Sequence, residues 1–158
     1  LEPVHVFSRV PGTASGIWID DAGIDEQEED PVMRARSNWS LRQRKKDLGK
    51  VLYFGGVAFK DLRKVENLEY ISKLACKFMD VITTVGMATG VPPDIRKIER
   101  MRKAIENFPM AVASGITPEN VRGYMPFVDC FLVAAGISAS DTELNPRRVE
   151  KLSRILKP

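Results

Sequence analysis

Short apolar runs alternate along this chain with longer amphipathic ones, the rhythm of strands separated by helices. Val4–Val10 reads as a strand, and Gly16–Asp20 as a second that ends in the acidic pair Asp20 and Asp21. Acid-rich residues 25–30 lead to a basic helix over Pro31–Lys46, with Asp30 at the N-cap and Pro31 at the first helical position. Val51–Phe54 and Val81–Thr84 are strands, separated by a helix whose Leu68, Ile71, Leu74, Ala75 and Phe78 share one face. Helix Pro93–Ile105 carries its stripe on Ile95, Ile98, Met101, Arg102 and Ile105. Met110–Ala113 is a strand, Ser114-Gly115-Ile116 a turn, and Thr117-Pro118-Glu119-Asn120 a helix start with Thr117 as cap. Cys130–Val133 is a sixth strand, and a last helix runs from Asn145-Pro146 to Leu156.

Strands such as Phe131-Leu132-Val133 are apolar without alternation, which predicts a parallel sheet covered by helices and hence an α/β fold. The link from Val10 to Gly16, residues 11–15, is shorter than the roughly dozen residues a parallel crossover needs. Either these two strands are antiparallel or a helix is missing from this link, the second reading fitting the rest of the pattern better, and a chain starting at Leu1 is expected to be part of a longer one. A complete doubly wound sheet of six strands is the competing architecture.

Length and charge narrow the classes. The 158 residues suit one domain over 1–158, with room to bury roughly two-thirds of the unfolded surface. A net charge of +3 is too small and dispersed to argue for nucleic acid, and no apolar run reaches the ~20 residues of a membrane span. The single histidine, His5, leaves little for a His-built metal site or a Ser-His-Asp triad. Cys76 and Cys130 read as small core residues of a reducing, cytoplasmic setting. No metal and no cofactor is implied.

In parallel α/β folds ligands gather at the carboxyl ends of the strands. Three successive loops there combine glycine with hydroxyls, as phosphate binding requires: glycine lets amides approach an anion, and hydroxyls donate to it. The candidate phosphate ligands are Ser114, Gly115, Thr117, Gly136 and Ser138, with Thr84, Gly86 and Thr89 as the adjacent wall. Asp20 or Asp21 is the candidate acid/base, and Lys60 the candidate for stabilising negative charge. The run Arg42, Arg44, Lys45, Lys46 reads first as a solvated helix end and second as a contact for anionic lipid headgroups.

Ala88-Thr89-Gly90-Val91-Pro92-Pro93-Asp94, the segment Pro109–Gly115, Ile116-Thr117-Pro118-Glu119-Asn120-Val121, Asp129–Val133 and Pro146-Arg147-Arg148-Val149 occur in this order. In these segments the chain resembles the BtpA family of ribulose-phosphate-binding-type (β/α)₈ barrels, whose members include a photosystem I biogenesis factor and SgcQ-like proteins. The resemblance implies a TIM barrel of which strands three to eight are visible, with two N-terminal strands and a helix between Thr13 and Ala14 absent. It also implies a phosphorylated small molecule as ligand, with sugar-phosphate isomerase or lyase chemistry as the reaction class. The alternative it offers is a non-enzymatic assembly factor, extrinsic to a membrane complex. Truncated barrel edges would favour a homo-oligomer. The chain departs from the family pattern at Gly55-Gly56, where an Asp is usual, at Ala113, where a glycine is usual, and at Ala134-Ala135.

Overall fold

The computed structural model describes all residues except 1–5, 8, 12, 45–49, 61 and 158. Five parallel strands, β1 (Gly16–Ile19), β2 (Leu52–Gly56), β3 (Val81–Thr84), β4 (Met110–Ala113) and β5 (Cys130–Leu132), lie side by side in chain order. They alternate with α1 (Met33–Arg44), α2 (Leu68–Ala75), α3 (Ile95–Ile105), the single turn α4 (Val121–Tyr124) and, after a 3₁₀ turn at Ala135–Ile137, α5 (Pro146–Leu156). Because right-handed crossovers in an unreversed strand order place every connection on the same face, the product is a half-barrel with helices on one side.

This corrects three expectations. The sheet is an open one of five strands, not a closed eight-stranded barrel, and β1 is its first strand among the described residues. Nor is it doubly wound, since the strand order never reverses. The strand expected over Val4–Val10 is not one: Val6, Phe7 and Arg9 are helical, Val10 is irregular, and His5 lies outside the described residues. With no strand there, the short-crossover argument for a missing helix loses its premise. Ala14 N in fact donates to Pro11 O at 3.0 Å, closing a turn across Thr13 and Ala14.

The pairing register explains where the core sits. Ile17 lies beside Tyr53, Ile19 beside Gly55 and then Ile82 and Met110, and Thr84 beside Val112 and Phe131. Ile17, Ile19, Tyr53, Ile82, Met110 and Val112 pack with Ile71 and Ala75 of α2, Ile98 and Met101 of α3, and Leu152 of α5. On the opposite face a small cluster of Phe59, Val85 and Ala113 covers the carboxyl end. Trp18 and Leu52, 45% and 48% exposed, mark its uncovered part. All four residues of β3 and of β4 are buried, as two-sided cover demands of the central strands.

The last helix opens at Asn145-Pro146 as expected, whereas α1 starts at Met33 rather than directly behind Asp30, and α4 starts at Val121 behind Asn120 rather than behind Thr117. Asn67, Asp94 and Asn145 accept hydrogen bonds from the first-turn amides of α2, α3 and α5, and Pro146 opens α5. Among the described residues no helix is long and apolar enough to cross a membrane.

Candidate functional site

The loops after β2, β3 and β4 converge at the carboxyl edge of the sheet. Gly86 begins the β3 loop, and a β-carbon there would stand 2.1 Å from Val91 O. The loop therefore folds back on itself, with Val91 N donating to Ala88 O at 3.1 Å. The turn exposes Thr89 and Gly90, and Gly90 takes a left-handed φ of 78°. From there Gly90 N donates to Ser114 Oγ at 2.9 Å, tying the β3 loop to the residue that follows β4. From the other side Lys60 Nζ, on the β2 loop, donates to Thr89 Oγ1. Lys60, Thr89, Gly90 and Ser114 thus form one hydrogen-bonded line across three successive loops.

Lys97, in the first turn of α3, reaches the roots of two of these loops. Its ammonium donates to Ala58 O at 2.7 Å and Val85 O at 2.9 Å. Burial lowers its pKa to about 8. Sequence reading missed this residue. The one signal for it is weak: a lysine in a helix's first turn opposes the helix dipole, so some other interaction has to hold it there.

The other expected ligands fall into two groups. Gly115 (φ 69°) and Gly136 are sites of close backbone approach. A β-carbon at Gly115 would lie 2.1 Å from Pro92 N, and one at Gly136 1.7 Å from Ile116 O. Their lack of a side chain lets neighbouring loops close rather than leaving room for an oxyanion. Thr117 and Ser138 spend their polar groups locally. Thr117 N donates to Asn120 Oδ1 and its hydroxyl accepts from Glu119 N, while Ser138 Oγ donates to Ala134 O. Thr84 is fully buried, so it lines no open wall; its hydroxyl and that of Thr83 have no partner among the described residues. Of the expected phosphate ligands and wall, Ser114 and Thr89 come together, with Lys60.

The candidate acids sit to one side, at the end of β1. Asp20 is exposed, and its backbone carbonyl presses on Gly56, where a β-carbon would be 1.7 Å away. Asp21 is engaged twice: Oδ1 accepts from Gly23 N at 2.8 Å and Oδ2 from Arg34 at 2.7 Å. Asp21, Asp25, Glu26, Arg34 and Arg63 line a cavity of about 320 Å³. Asp25 pairs with Arg63 at 3.1 Å, and Glu26 accepts from the amides of Glu66 and Asn67 at the start of α2. The acid/base candidate with no such engagement is Asp20.

Arg42 corrects the reading of the basic helix end. It is 5% exposed, donates to Val51 O at 2.8 Å and Asp80 Oδ2 at 2.6 Å, and stacks on Trp39 with its guanidinium 4.7 Å from the ring. It therefore faces the protein, Arg44 is exposed, and Lys45 and Lys46 lie outside the described residues. Cys76 and Cys130 are half-buried thiols whose pKa burial pushes up, and Cys76 packs against the main core as expected.

No family model matches the chain. It is similar to an uncharacterized protein of Pyrococcus abyssi, 31% identical over 78 residues, which cover 49% of this chain and 30% of the relative. The matched region thus spans under a third of the relative's length.

Proposed function

We propose that the chain binds a small phosphorylated molecule at the carboxyl ends of β2, β3 and β4, with Lys60, Thr89 and Ser114 as its contacts. The line of hydrogen bonds joining these three residues carries the reading. It brings an ammonium and two hydroxyls onto neighbouring loops, and a phosphate is recognised by just such donors. The segments in which the chain resembles the BtpA family, Ala88–Asp94 and Pro109–Gly115, are the ones that supply Thr89, Gly90 and Ser114. That overlap supports the same ligand class. Isomerase or lyase chemistry on a sugar phosphate is the reaction to assay first, with Asp20 as acid/base.

Calorimetric titration of the chain with inorganic phosphate, glucose 6-phosphate and adenosine monophosphate tests the proposal. At least one probe is expected to bind, and Lys60→Met to weaken it about tenfold, the equivalent of ~1.4 kcal/mol for one charge-assisted contact. Absence of binding by all three at millimolar concentration would remove the proposal.

A further inference from the structure

Lys97 braces the two loops that carry Lys60 and Thr89. The carbonyls it holds belong to Ala58, just past the end of β2, and Val85, the first residue after β3. Ala58 has a left-handed φ of 52°. A residue with a β-carbon adopts that conformation at a cost of about 1 kcal/mol, so its surroundings must over-determine it. Two residues beyond Ala58 stands Lys60, and four beyond Val85 stands Thr89. The Lys97 brace and the Lys60–Thr89 bond are therefore two rungs between the same pair of loops, one at the root and one at the rim.

Electrostatics add a second role. Among the described residues the partners of the Lys97 ammonium are carbonyl dipoles, and burial is the influence that lowers its pKa. A cation withdrawn from water without a countercharge is costly, and a bound anion lowers that cost.

We propose that Lys97 is the positioning cation of the anion site: it fixes the roots of the β2 and β3 loops so that Lys60 and Thr89 meet, and it leaves at those roots a positive charge for the anion to offset. This rests on the phosphate-binding reading above.

Two variants separate charge from shape. Lys97→Gln keeps an N–H donor for the carbonyls but removes the charge, whereas Lys97→Arg keeps both. Each is titrated with inorganic phosphate and glucose 6-phosphate in the calorimeter beside the unsubstituted chain, and its melting temperature is recorded. Lys97→Gln is expected to bind the probes at least fivefold more weakly, and Lys97→Arg within threefold of the unsubstituted chain. Equal binding by Lys97→Gln and the unsubstituted chain overturns the inference and leaves the phosphate reading standing. So does equal loss in both variants, because the charge then makes no difference. If the unsubstituted chain binds neither probe, both proposals fall.

Discussion

Replacing Arg42 by Met removes a guanidinium from the junction of α1, β2 and the turn before β3. Its side chain is 6% exposed, and its bonds to Val51 O and Asp80 Oδ2 are both short. Asp80 Oδ2 also accepts from Tyr53 N at 2.7 Å, so one carboxylate oxygen ties the start of β2 to Arg42. Hydrogen bonds to charged groups contribute about 1.5–3 kcal/mol each, and the stacking on Trp39 about 0.5–1 kcal/mol. Against this, Met refills most of the volume, and burial of Arg42 Nε, which has no partner among the described residues, is relieved. The remaining loss is about 2–4 kcal/mol, near the range found when one partner of a buried ion pair is removed. Asp80, 26% exposed, keeps some solvation, which holds the figure below the top of that range. Urea unfolding followed by circular dichroism reads this directly. With a slope of ~2 kcal/mol/M, the midpoint should fall by about 1–2 M at unchanged slope. A double-mutant cycle with Asp80→Asn should show coupling of about 1 kcal/mol or more. A midpoint within ~0.2 M of the parent's, or strict additivity in the cycle, would refute the reasoning.

The two glycines of the site differ in what a methyl group meets. Gly90→Ala enters open space at φ 78°, so it should cost only the left-handed backbone term, about 1 kcal/mol, or ~3 °C in Tm. Gly115→Ala adds a clash with the Pro92 and Val91 backbone and should cost about 3 kcal/mol or more; equal melting temperatures for the two would contradict the packing described. Tyr124→Phe, which leaves Pro93 O without its 2.7 Å bond at the start of α3, should lower stability by about 1–2 kcal/mol in the same melts. Glu69 is held at about pH 2 by its hydrogen bonds to Arg100. Since the folded value lies below the unfolded one, its contribution is complete above about pH 5 and disappears as the pH falls toward 2. Carboxyl-carbon NMR should give a midpoint near 2 for Glu69, and one near 4 would show the ion pair absent in solution.

Much of the fold is legible along the chain because local signals agree there. The five observed strands match the apolar runs to within a residue or two, the last helix opens at Asn145-Pro146 as read, and α3 starts behind Asp94, two residues after the expected Pro93. The Val4–Val10 segment misled because a short apolar run has the same composition in a buried helix as in a strand, and only its surroundings choose between them. Closure of the sheet was equally unreadable, since strand number and edge pairing are properties of the assembled sheet. Ser114, Thr89 and Lys60 could be picked out because hydroxyls and lysines near strand ends announce themselves by type, and hydrogen bonds bring them together. Gly136 and Thr117 carry the same residue types but serve chain approach and a local turn, a distinction that exists only in three dimensions. Arg42 and Lys97 look like surface cations in a charged helix; what makes them internal is the long-range position of Asp80, Val51, Ala58 and Val85.

A crystal of the chain soaked in glucose 6-phosphate puts the convergence of the three loops to the most direct test. The account predicts phosphate density within hydrogen-bond distance of Lys60 Nζ and Ser114 Oγ, over the loop that carries Thr89. Phosphate seated instead in the Asp21–Arg34 cavity, or a well-diffracting soaked crystal with that edge holding only water, would contradict it.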